Sequence, residues 1–136
     1  ELADVVAREH GNIHRSTDFG AAALLRLLER CDALRRPERF AEVLLACECD
    51  ARGRGGLAEQ PYPQRPQLLH TLEAATRIDT KAIAASAIPA SADGTSDTKN
   101  MGERIAQAIH AARVAAVAAA APPIPSEPDH GQPAHR

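Results

Sequence analysis

Phe40-Ala41-Glu42-Val43-Leu44-Leu45-Ala46-Cys47-Glu48-Cys49-Asp50-Ala51-Arg52-Gly53-Arg54 decides the fold. Phe40, Val43, Leu44 and Cys47 recur at helical spacing, so one face of the stretch is apolar and it reads as an amphipathic helix. Pro37 suits its first turn, where a missing N–H costs nothing, and Gly53 with Gly55-Gly56 marks its end. Just upstream, Leu24, Leu27, Leu28, Cys31 and Leu34 keep the same period and predict a helix over residues 20–34, with Arg26 and Arg30 off the stripe. A linker this short between two helices predicts an αα-hairpin.

Working outward, residues 55–66 gather Gly and Pro around Tyr62 and read as a loop. Leu68, Leu69, Leu72 and Ala75 mark a third helix to about Arg77, and Asp79 is placed to cap a short fourth one containing Ile83. Residues 86–99 are Ser-, Ala-, Asp- and Thr-rich without periodicity and read as a second loop. Asn100 followed by Glu103 resembles a capping box, opening a helix that carries Met101, Ile105, Ala108, Ile109 and Ala112 on one face to about Ala120. Pro122 and Pro123 stop it, and residues 121–136 read as a disordered tail. At the other end, Glu1 to Ala7 already reads as helix, giving way at Gly11-Asn12. No strand signal occurs. The expected fold is all-α: an irregular helical bundle built from αα-hairpins, with a disordered C-terminal tail.

Composition narrows the function classes. A chain of 136 residues is about one domain, and its 44% hydrophobic content is largely aliphatic, the aromatics being Phe19, Phe40 and Tyr62. With 16 basic and 18 acidic residues the net charge is −2, so RNA contact would have to come from a local patch. Cys31, Cys47 and Cys49 form no disulfide framework. On one helix Cys47 and Cys49 point about 200° apart and cannot share a metal, so reduced, cytosolic thiols are expected. The longest apolar run, near Val114 to Ala121, falls short of the ~20 residues that span a bilayer. A cytoplasmic protein with no membrane partner is expected, and the helical opening without an initiator Met suggests a piece of a longer protein.

Two constellations could carry chemistry. His10 and His14 stand four apart, a metal-binding spacing if both share a helix face. Arg35, Arg36 and Arg39 cluster at the expected hairpin corner, with Arg52 and Arg54 at the far end of the next helix. Guanidiniums beside a helix N-terminus suit a phosphate backbone, although interleaved Glu38, Glu42, Glu48 and Asp50 also fit a solvated face. Tyr62, between two prolines, reads as a packing anchor for its loop rather than a base-stacking residue.

Arg35-Arg36-Pro37-Glu38-Arg39, the Phe40–Arg54 stretch and Pro61-Tyr62-Pro63-Gln64, in this order and spacing, resemble the C-terminal region of bacterial CCA-adding enzymes. These are tRNA nucleotidyltransferases, often fused to an HD phosphohydrolase domain, and the resemblance covers most of residues 3 to 120. It implies that residues 1–34 end an HD-like helical domain and 35–120 form a helical body and tail that help hold the tRNA acceptor arm. It also implies addition of C, C and A to a tRNA 3′ end from CTP and ATP, with Mg²⁺ and the nucleotides bound by a catalytic head before Glu1. The paired carboxylates and Gly-rich segment of that head do not occur in this sequence, so no cofactor is expected for this chain alone and it should not add nucleotides by itself. In relatives with an HD domain, which can use a metal such as Ni²⁺, the position of His10 often carries a His followed by Asp. Here Gly11 follows, and the adjacent His-Asp pair of the HD motif is absent. The polar run between Ile88 and Lys99 departs from the family as an insertion of low closure cost. Two other classes stay open: a non-catalytic helical interaction module, and a remnant metal phosphohydrolase using His10 and His14.

Overall fold

The computed structural model describes residues 1–56, 59–88 and 98–120, the side chains of 98 and 99 excepted. Among the described residues six α-helices run in order: α1 (Leu2–His14), α2 (Ala21–Arg30), α3 (Pro37–Arg52), α4 (Gln64–Thr76), α5 (Thr80–Ala87) and α6 (Thr98–Ala120). A short 3-10 turn, Ser16–Asp18, links α1 to α2. Among the described residues there is no strand, and the fold is an all-α irregular bundle. The expected tail at 121–136 and most of the expected second loop, 89–97, lie outside the described residues.

The quoted stretch behaves as its pattern dictates. Pro37 occupies the first turn of α3, Gly53 follows its last residue, and Phe40, Val43, Leu44 and Cys47 are buried. Each fully buried side chain of this size contributes about 1.5–3 kcal/mol, so α3 is the spine of the core. It packs on α1 and α4, while α6 lies across α2, α4 and α5. Ile13, Leu25, Leu27, Leu28, Leu68 and Ala75 complete one buried cluster with Val5 and Val117. Asp79 caps α5 as its chemistry demands, accepting from the Lys81 and Ala82 amides at 3.1 and 3.0 Å.

Several boundaries differ from the sequence pattern. The helix expected over 20–34 stops at Arg30, because Asp32 adopts a left-handed conformation (φ 54°). The Ala33 amide reaches back to the Leu28 carbonyl and that of Asp32 to Glu29, the paired bonds of a Schellman ending. The expected hairpin is therefore a corner: α2 turns away toward α6 instead of lying along α3. In α1 the helix continues through Gly11 and Asn12 to His14, where the sequence suggested an end. Asn12 keeps its side chain for Glu9 and Arg15, and so does not compete for the backbone. Pro66 sits in the first turn of α4, shortening the expected 55–66 loop. Asn100 lies inside α6, which includes Thr98, so it is not the cap.

Candidate nucleic-acid interface and the histidine pair

The α2–α3 corner gathers three arginines around one carboxylate. Arg35, Arg36 and Arg39 each place a guanidinium nitrogen 3.8 Å from an Asp32 oxygen. Three cations around one anion leave an excess of two positive charges, on side chains that are 78%, 48% and 20% exposed in that order. Arg39 is further tied down, donating from Nη2 to the Cys31 carbonyl at 3.1 Å. Arg35 and Arg36 are thus the outward pair, and Arg39 braces the turn.

At the opposite end of α3 three arginines meet two carboxylates. Arg52 donates to Glu48 at 3.2 Å, and Arg65 from α4 donates to the other oxygen of Glu48 at 2.8 Å. The Arg65 hydrogen bond, outweighing burial and aided by Arg52, holds the Glu48 carboxyl below its ordinary range. Arg54 stands 3.6 Å from Asp50. The structure therefore separates the five arginines into a corner where three guanidiniums share one carboxylate and a far end where, with Arg65, three share two.

His10 and His14 do share a face of α1, their ring centroids 6.0 Å apart. Each spends Nδ1 on a protein partner. His10 donates to the carbonyls of Val6 and Ala7 at 3.0 and 3.1 Å, and His14 Nδ1 lies 2.8 Å from the Tyr62 hydroxyl. Burial, then the charges near Cys47, Glu48 and Asp50, push the Tyr62 phenol well above its usual value, so it stays protonated beside the His14 ring. His14 Nε2 faces Asp50 at 3.5 Å. Among the described residues no group of three or more His, Cys, Asp or Glu side chains is disposed to hold a metal ion.

The chain is similar in sequence to curated proteins over most of its length. A multifunctional CCA protein from Polaromonas naphthalenivorans (strain CJ2) is 58% identical over 127 residues, 92% of this chain. One from Paracidovorax citrulli (strain AAC00-1) is 74% identical over 87 residues, 64% of the chain, and one from Variovorax paradoxus (strain S110) 60% over 119, or 88%. The chain is a homologue of multifunctional CCA proteins. It matches the C-terminal region of CCA-adding enzymes and spans only 28%, 21% and 26% of the length of these three relatives. No family model and no solved structure matches it.

Within this CCA-protein homologue, sequence reasoning missed one polar centre altogether. Glu9 is buried inside α1, its side chain 3% exposed, and receives Arg30 Nε at 3.2 Å, Arg8 Nε at 3.4 Å and Asn12 Nδ2 at 3.0 Å. Burial alone would raise its pKa, but the hydrogen bonds from Asn12, Arg30 and Arg8 together outweigh it and hold the carboxyl below 4.5. The glutamate's partner lies 21 residues away, so no local pattern announces it. The cysteines are free. Burial, aided by Glu9, pushes the Cys31 thiol up to about 12, and burial with Asp50 pushes Cys47 to about 11, so both are packing groups rather than nucleophiles. No helix among the described residues is long and apolar enough to cross a membrane.

Proposed function

We propose that this chain is the C-terminal helical part of a tRNA CCA nucleotidyltransferase and that its α2–α3 corner contacts the phosphates of the tRNA acceptor arm. Residues 1–34 then form the end of an HD-like domain and 35–120 the body and tail. CTP, ATP and catalytic Mg²⁺ belong to a head outside this chain, and the work takes place in the cytoplasm. The observation that carries the RNA contact is the charge excess at Asp32: three guanidiniums share one carboxylate at 3.8 Å, and Arg35 and Arg36 stand open to solvent. Loosely held guanidiniums at the start of a 16-residue helix are the donors that a phosphate backbone takes. Arg52 and Arg54, matched by Glu48 and Asp50, take the smaller share.

The test is filter binding of a tRNA acceptor-arm minihelix to the chain across a range of salt concentrations. Replacing Arg35 and Arg36 with Gln should weaken binding and reduce the log–log salt slope by roughly 0.9 for each duplex phosphate that is no longer neutralised. An unchanged slope ends the reading. In that case the arginines only decorate a solvated face, and stability alone moves by less than about 1 kcal/mol per pair.

A further inference from the structure

Beyond the phosphate-binding corner, α3 keeps one face turned away from the bundle. It packs on α1 and α4, and its buried side chains, Phe40, Val43, Leu44 and Cys47, lie on the side opposite Leu45, which is 45% exposed. Glu38, Leu45 and Arg52 follow one another at intervals of seven, which on a helix keeps them within about 20° of a single line. Ala41 and Glu48 flank that line on one side and Glu42 and Cys49 on the other, at roughly 40–60°. Glu38, Glu42 and Cys49 are exposed, and Arg52, held by Glu48 at 3.1 Å, still shows 41% of its side chain to solvent. The open line of α3 therefore reads acidic, apolar, basic from its first turn to its last.

This order of charges selects the occupant. A second copy laid parallel would set Glu38 against Glu38 and Arg52 against Arg52, which like charges forbid. Turned antiparallel about Leu45, each Glu38 meets an Arg52, Glu42 falls beside the neutral Cys49, and Glu48 falls beside Ala41. No like charges on the helix face are then apposed, and the same patch serves both copies, as a two-fold contact requires. A seven-residue spacing is the seam of two helices crossing at about 20°. At that angle the axes diverge by only about 4 Å between Leu45 and Glu38, which a glutamate and an arginine span together. We propose that α3 pairs with α3 of a second copy of this chain, antiparallel about Leu45, with each Glu38 bonded to the partner's Arg52.

Sedimentation equilibrium of the chain without nucleic acid tests it. One helix face per partner lies at the low end of interface sizes, so the expected dissociation constant is roughly 10–100 μM. Leu45→Asp, at the centre of both halves, should raise it at least about a hundredfold. Glu38→Arg or Arg52→Glu alone should raise it roughly tenfold, because each change acts twice in a two-fold pair. The two changes together reverse both ion pairs and should recover most of the loss. Should Arg52→Glu not melt like the unaltered chain, Glu38→Arg and Leu45→Asp decide the matter. A chain that stays monomeric up to about 1 mM leaves this face to a different protein and overturns the proposal. So does a dimer that survives Leu45→Asp in a natively melting chain, or one that Glu38→Arg leaves unweakened.

Discussion

Two carboxylates in this chain each gather arginines, and they do so to opposite effect. Glu9 is buried and receives three donors at 3.0 to 3.4 Å. Asp32 stands at a surface corner and has three guanidiniums about it, each at 3.8 Å. In the interior an unmatched charge is intolerable, so the cluster closes tightly around its anion. At the surface, water solvates the surplus, and the cations stay loosely held and available to a second anion. The same residue types thus build a structural joint in one place and an open electrostatic face in the other.

Removing the packing beneath the corner is the bluntest way to break this contrast. Phe40, one turn into α3 and fully buried, anchors the helix whose first turn carries Arg39. Phe40→Ala should cost about 3–5 kcal/mol in urea unfolding, and a loss below 1 kcal/mol would mean that α3 is not the spine of the core. Glu9→Gln comes next. It should cost about 2 kcal/mol, less than the 3–5 of a fully enclosed pair because Arg30 is 44% exposed. Its pH signature follows from the depressed pKa: the contribution is whole above the unfolded value of 4.5 and is lost as pH falls through the lower folded value. Melts between pH 6 and 3 should therefore show a steeper acid decline in the unaltered chain than in Glu9→Gln, and parallel curves would remove Glu9 from the account. The smallest effect belongs to Asp32→Asn, which keeps a residue tolerant of φ 54° and deletes the counter-charge. Stability should change by less than about 1 kcal/mol. Minihelix affinity should rise roughly fivefold, the Coulomb energy of one more unit charge near a phosphate in water. An unchanged affinity would show that the surplus charge at the corner is not what RNA would feel.

The fold was legible where a local rule had no competitor. Pro37 could only open a helix, Asp79 could only cap one, and the Phe40-Val43-Leu44-Cys47 stripe could bury only one face. Legibility failed where a polar side chain did an unusual job. Asp32 took the left-handed turn position that glycine normally fills, so the helix ended early without its usual marker. Asn12 gave its amide to Glu9 instead of to a turn, so α1 ran on through Gly11. Of the candidate site, the arginines were visible as a cluster, but their sorting by Asp32, Glu48 and Asp50 depends on three-dimensional distances. The link from His14 to Tyr62 crosses 48 residues of sequence and left no trace in it.

The way α6 is seated has a kinetic meaning. It covers α2, α4 and α5 and is pinned at its end by His70 donating to the Ala120 carbonyl at 3.0 Å, yet among its described side chains only Val117 is buried. Lifting α6 sacrifices far less apolar burial than lifting α3, so the bundle has a built-in order of opening in which α6, together with α5, which has no buried residue, leaves before α3. Amide protons along α6 exchange through that partial opening, while those of α3 wait for the whole bundle to come apart.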